Sequence, residues 1–264
     1  MNFAVYQATY QGGRKYNQDR VAYAYTDQAL LLVLADGMGG HSHGELAAQI
    51  TIQTYMQAFS VAAKPRIQNP EGFLGRIMRH AHQTIGQFAI DQGLSGNPGT
   101  TCVAALVQDG QVCWAHAGDS RFYLLRDAAV AAVTTDHSVV QQWADWGLIT
   151  HEEMRTHPDR NKITNCLGGS DEQFFVETVP EIPLMQGDVL LLCSDGLWGP
   201  LSEDEIAKAL DSAPLHTGLE QLMGLALFRE NVSADNTTAV VARWGAAEQD
   251  HSVTEPFFGV LDER

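Results

Sequence analysis

The sequence predicts an α+β fold in which antiparallel sheets carry helices packed on their outside. Three observations predict it. Short apolar segments of strand type come in runs punctuated by turn residues, and paired helical blocks break those runs. The Asp109-Gly110 dipeptide, flanked by alternating residues on both sides, is a hairpin signal between consecutive strands. Strict alternation of one strand with one helix is absent, which excludes a doubly wound parallel sheet.

Segments 5–10, 21–25 and 30–35 read as strands, separated by Gly12-Gly13 and Thr26-Asp27 turns. Residues 44–63 and 71–92 read as helices; in the second, Phe73, Ile77, Ala81, Ile85 and Phe88 recur at spacings of three and four. Pro65 and Pro70 break the chain between them. Strands follow at 100–107, 111–117, 121–125 and 128–133. Residues 138–172 differ, with mixed polarity, Trp143, Trp146, several His and Pro158, and read as a short helix followed by a surface excursion. Strands resume at 173–179 and 188–193. Ser202 and Glu205 form a capping box that opens a helix to residue 210, a further helix spans 215–229, and 236–244 is the last strand. No linker divides the chain, so residues 1–245 read as one domain and 246–264 as a polar, loose tail.

The 264 residues, 45% of them hydrophobic, suffice for a sizeable core. The 32 acidic side chains against 16 basic ones give a net charge of −16, which excludes nucleic acid and anionic membrane as the main partner. An anionic substrate would therefore need a local positive centre. The longest apolar runs, 29–35 and 189–193, fall far short of the ~20 residues that cross a bilayer. Residues 1–13 show no basic-then-apolar leader. Cys102, Cys113, Cys166 and Cys193 lack CxxC spacing and read as reduced core thiols rather than zinc ligands. Together these point to the cytoplasm.

One device recurs. Residues 30–35 lead into Asp36-Gly37, and residues 189–194 lead into Asp195-Gly196, so each apolar strand ends in a carboxylate with a glycine behind it. Asp119 follows the 111–117 strand and Asp235 precedes the 236–244 strand. Buried strands fix their ends in space, and carboxylates brought to one point repel unless a cation neutralises them; hard oxygen ligands suit Mg²⁺ or Mn²⁺. The Asp-Gly pair is also the commonest turn signal, and Asp109-Gly110 is only that. Arg14 lies in the Gly-rich turn 12–19, where a guanidinium clamps a phosphate or simply caps a solvated hairpin.

In order, Arg14-Lys-Tyr-Asn-Gln-Asp19, Ala35-Asp-Gly-Met-Gly-Gly-His41, Gly99-Thr-Thr101, Gly118-Asp-Ser-Arg121, Asp136-His-Ser138, Leu167-Gly168, Ser194-Asp-Gly-Leu197 and Asp235-Asn236 resemble the metal-dependent serine/threonine protein phosphatases of the type 2C family in their compact bacterial form. The resemblance implies an αββα sandwich of two antiparallel sheets flanked by helix pairs, with a flap at about 140–170. It implies a binuclear Mg²⁺ or Mn²⁺ centre in which Asp36 bridges, the Gly37 carbonyl binds one ion, and Asp195 and Asp235 the other. Asp119 would help hold a third, more labile ion. Asp19 and Asn236 would support the cluster, and Arg14 would hold phosphoryl oxygens. Phosphorylated proteins are the implied substrates, a cognate serine/threonine kinase an implied partner, and a monomer the default state.

Two positions depart from the pattern. Gln18 stands where many eukaryotic members have Glu, removing a charge, and Met38 fills the slot of their proposed general-acid His. His41, three residues on, is a candidate for protonating the leaving oxygen, with a structural helix-start role as the alternative. Trp143 and Trp146 read as flap packing, His80 and His82 as a solvated helix face, and His137 as a structural tie at the start of the flap. The rival reading is a non-catalytic phosphoprotein-binding domain on the same fold, against which the full set Asp36, Asp195 and Asp235 argues. A nuclease or phosphodiesterase lacks its basic track.

Overall fold

Residues 29–35 are apolar at every position because this strand is covered on both faces. Leu30, Leu32 and Leu34 point into one core, whereas Leu31, Val33 and Ala35 point into another. Residues 189–193 behave alike: Leu190 and Leu192 share the core of Leu30, and Val189, Leu191 and Cys193 face a third. Three cores stacked in this way require four layers. The chain is described here by a computed structural model covering residues 1–38, 43–64, 66–94, 98–169, 174–212, 214–245 and 258–260.

In chain order the elements are β1 (Phe3–Tyr10), β2 (Asp19–Tyr25), β3 (Ala29–Met38), α1 (Gly44–Ala62), α2 (Pro70–Asp91), β4 (Gly99–Thr100), β5 (Cys102–Gln108), β6 (Gln111–Ala117), β7 (Arg121–Arg126) and β8 (Ala129–Val133). Then come α3 (Val139–Asp145), α4 (His151–Met154), β9 (Glu177–Pro183), β10 (Val189–Cys193), α5 (Asp195–Trp198), α6 (Glu203–Ser212), α7 (Leu215–Glu230), β11 (Thr237–Trp244) and β12 (Phe258–Val260). One sheet runs β1-β11-β10-β7-β8 and the other β12-β2-β3-β5-β6-β9, with β4 against the end of β3; every strand pairing among the described residues is antiparallel. The sheets face each other across the Leu30/Leu192 core, α1 and α2 cover the second sheet, and α6 and α7 cover the first. The fold is the expected α+β sandwich with helices outside. Burying a single Leu or Val in these cores contributes about 1.5–3 kcal/mol.

The hairpin turn at Asp109-Gly110 has positive φ at both residues (54° and 71°), as a type I′ turn requires. The capping box at α6 is formed: Ser202 Oγ accepts from Glu205 N–H at 3.3 Å, and Glu205 accepts from Ser202 N–H at 2.9 Å.

Four expectations need correction. The strand expected at 173–179 lies at Glu177–Pro183, because Phe174 and Phe175 spend their rings on His82 (3.9 Å) and His137 (4.6 Å) instead of entering the ladder. His82 is buried, its Nδ1 accepting from Gly168 N–H at 3.1 Å, so only His80 and Arg79 belong to the solvated face. The first Asp-Gly does not end its strand: β3 runs on to Met38 by exchanging β5 for β4 as its partner. Beyond Gly245, the pairing of β12 with β2 had no signal in the sequence.

Candidate metal centre

The register of β2 on β3 places Asp19 directly opposite Asp36. Like charges opposed on a ladder repel, and both carboxyls titrate high. Burial pushes Asp19 up to about 6, and burial together with Asp19, Asp195, Asp119 and Asp235 holds Asp36 well above the carboxylate range. Asp195 starts α5 immediately after β10 and is raised by burial, then by Asp119, Asp235 and Asp19. Asp119, in the β6–β7 turn, is pushed up to about 7 by burial and by Asp136. Four segments of the chain thus bring acids to one point, with Arg14 beside them. Asp19 Oδ2 accepts from Ser194 Oγ at 2.8 Å, while its buried Oδ1 has no hydrogen-bond partner. An all-oxygen donor set with an orphaned carboxylate oxygen fits a hard divalent cation.

Local backbone contacts make the arrangement rigid. Asp36 C=O accepts from Thr101 N–H (2.8 Å) and Thr100 Oγ1 (2.9 Å), and Asp36 N–H donates to Thr101 Oγ1 at 3.1 Å. Gly37 is obligatory: a Cβ there would lie 2.3 Å from Gly44 O and 2.7 Å from Gln18 O. The Arg14 loop is stitched by Asn236, whose Nδ2 donates to Gln11 O (2.7 Å) and Tyr16 O (3.0 Å) and whose Oδ1 accepts from Gln18 N–H (2.9 Å). Arg14 itself is salt-bridged to Asp235, which raises its pKa. Gln18 donates to Glu45 at 3.2 Å, so a carboxylate from α1 stands beside the position where Gln18 leaves one out.

Two clefts, of about 700 and about 780 Å³, meet at this point and share Arg14, Asp119, Asn161, Asp195 and Asp235. One opens beneath α3 and α4, lined by Gln141, His151 and Arg155; the other holds Asp36, Gly37, Met38, Gln18 and Asn236. The segment carrying α3 and α4 is closed at its base by a bridge between Ser138 and Ile163.

A second cluster, His116, His137 and Glu177, has the ligand types of a zinc site, with both imidazoles buried and the carboxylate exposed. The hydrogen bonds argue otherwise. Gly118 N–H must donate to His137 Nδ1 (3.2 Å), which leaves the ring proton on Nε2, facing Glu177 at 3.2 Å. His137 therefore has no free lone pair for a metal.

The family model for Protein phosphatase 2C matches residues 10–223. The chain belongs to this family. The "Serine/threonine protein phosphatase PstP" of Mycobacterium tuberculosis is 36% identical over 235 residues, 86% of this chain and 42% of the relative, so the chain spans under half the length of that protein. The solved structure of the serine/threonine phosphatase Stp1 from Staphylococcus aureus superposes with a TM-score of 0.84 at 33% identity, covering 92% of this chain and 95% of that one. A PstP catalytic domain in complex with two manganese ions aligns with a TM-score of 0.76 at 31% identity, covering 91% and 97%.

In this 2C-family chain the structure brings Arg14, Asp19, Asp36, Gly37, Asp119, Asp195, Asp235 and Asn236 to the shared clefts or to their walls. His41 lies outside the described residues. Sequence reasoning missed Thr100, Thr101 and Trp198: the first two hold the Asp36 peptide, and Trp198 Nε1–H donates to Asp119 C=O at 2.9 Å. The signal available was position, since Thr100 and Thr101 lie in the Gly99-Thr-Thr101 motif and Trp198 three residues beyond Asp195. Among the described residues no helix is long and apolar enough to cross a membrane.

Proposed function

We propose that this chain hydrolyses phosphoserine and phosphothreonine in proteins at a binuclear centre of Mn²⁺ or Mg²⁺. The observation that carries the reading is the convergence of Asp36, Asp195, Asp119 and Asp235 with one guanidinium, Arg14, where two clefts meet in a chain of this family. Asp36 would bridge the two ions, the Gly37 carbonyl would serve one, and Asp195 and Asp235 the other. Asp119 would hold a third, and Asp19 and Asn236 would support the set. When bound, the cations supply the positive charge that a phosphoryl dianion lacks in this acidic protein and make hydroxide available near neutral pH. The two manganese ions in the PstP complex support the metal class.

Arg14 would grip phosphoryl oxygens with the N–H donors of its fork, one terminal nitrogen, Nη2, donating to Asp235. The bonds from Thr100 and Thr101 to the Asp36 main chain and from Ser194 Oγ to Asp19 hold the carboxylates in place, so that little reorganisation would accompany reaction. His41 is assigned the proton for the leaving oxygen. The catalytic domain is residues 1–245, with a flap at about 140–170 over the cleft and a tail beyond it. A cytoplasmic monomer that acts in signalling opposite a serine/threonine kinase completes the reading.

Phosphate release from a phosphothreonine peptide, titrated with Mn²⁺ and Mg²⁺, tests it. Turnover should vanish with chelator, return with metal, and be lost in Asp195→Asn. Arg14→Ala should lower kcat/KM by about 10²-fold. A folded, metal-loaded protein that binds the peptide without releasing phosphate would favour a binding domain instead. Turnover unaffected by His41→Ala on poor leaving groups would remove the general-acid role.

A further inference from the structure

The Asp119 carboxylate has no hydrogen-bonded or ion-paired side chain among those described, so its placement comes from its backbone, and that backbone is held by few atoms. Gly118 has φ +112°, and a Cβ there would lie 2.6 Å from Thr101 Cβ, so no other residue fits the turn. His137 grips Gly118 from both sides: its Nδ1 accepts from Gly118 N–H at 3.2 Å, and its own N–H donates to Gly118 O at 3.0 Å. The next carbonyl, that of Asp119, accepts from Trp198 Nε1–H. The Trp198 ring lies 3.6 Å under the Arg121 guanidinium, which is bidentate to Asp136, the neighbour of His137 (2.8 and 2.7 Å). The chain of contacts closes on itself around Asp119.

The same residue is tied to the far end of the flap, through its main-chain carbonyl and through its ring. Thr164 N–H donates to His137 O at 2.7 Å, and Asn165 Nδ2 donates to His137 Nδ1 at 2.9 Å. Asn165 is itself fixed by Phe175 O (2.9 Å) and Phe175 N–H (3.3 Å). His116 stacks on the ring at 4.5 Å. One buried side chain therefore joins the peptide that aims Asp119 to the residues where the flap returns to the sandwich.

We infer that His137 is a positioning residue for Asp119, setting the aim of its carboxylate toward the labile third cation and linking that aim to the seat of the flap. The inference rests on the reading of Asp119 as a metal ligand. Removing a partner that orients a ligand costs about 10–100-fold in metal affinity. Asn presents an oxygen near the place of Nδ1, so it can accept from Gly118 N–H, whereas Ala cannot.

Isothermal titration of the chelator-treated full chain with Mn²⁺ tests this in wild type, Asp119→Asn, His137→Ala and His137→Asn, with thermal melts showing that each variant is folded. His137→Ala should weaken the weakest binding event at least tenfold and leave the tighter events unchanged, and His137→Asn should restore most of that loss. An unchanged weak event in folded His137→Ala, while Asp119→Asn loses it, overturns the inference and leaves the Asp119 reading standing. So does an equal loss in His137→Asn, since packing alone would then explain it. No change in Asp119→Asn removes both.

Discussion

The floor of the site and the flap above it are built by opposite means. The floor hangs on strands buried on both faces, so Leu34, Ala35, Leu192 and Cys193 are all 0% exposed beside the carboxylates they position. Between Ser138 and Ile163 the only buried hydrophobic residue among those described is Val140, and α3 and α4 are held by caps and single bonds. Arg155 reaches across to Gly199 O and Leu201 O at 3.3 and 3.1 Å, and Trp146 stands 68% exposed. Acids that repel one another can be held together only by a scaffold whose packing exceeds the repulsion. A flap with a thin core can open at a lower free-energy cost than the strands that carry them.

The largest expected effect breaks the floor's chemistry while relieving its strain. Asp36→Asn should lower turnover by more than about 10³-fold. In chelator it should also raise the melting temperature, because one of two directly opposed buried carboxylates is gone. Calorimetry of the metal-free variant checks this; a fall in stability would mean that Asp36 is held by attraction rather than endured.

That contrast also governs what could be read in advance. Asp36 and Asp195 were legible because continuous apolar runs, followed each time by Asp-Gly, announce strands covered on both faces. The clamps on them were not. Thr101 meets Asp36 across 65 positions, and Trp198 meets Asp119 across 79, contacts that only the closed sandwich creates. His82 was misplaced although it stands four residues after buried Met78, on the packed side of α2. The flap was visible as a change in composition, but its Thr150/Glu153 capping box passed unnoticed.

The boundary between the two regions, the stacked pair His116 and His137, should show a moderate pH effect. Burial lowers both pKa values from the ordinary 6.5, so the folded state binds fewer protons than the unfolded one. The contribution of these two rings is therefore complete above pH 6.5 and is lost as the pH falls below it. His116→Phe keeps the stacking surface and removes one titration, so its melting temperature should drop less than wild type between pH 7 and pH 5. Equal slopes would show that His116 does not contribute.

The smallest effect belongs to the flap. Thr150→Ala removes a cap worth about 1 kcal/mol, yet the global melting temperature should stay put, with amide exchange accelerating only in residues 150–156. A shifted global transition would show that the flap and the sandwich unfold as one unit.

The most direct test of the central claim is an anomalous-scattering map of crystals grown with Mn²⁺. Two strong peaks should stand among Asp36, the Gly37 carbonyl, Asp195 and Asp235, with a weaker one at Asp119. No density among those residues, or a peak at His116, His137 and Glu177 instead, would contradict it.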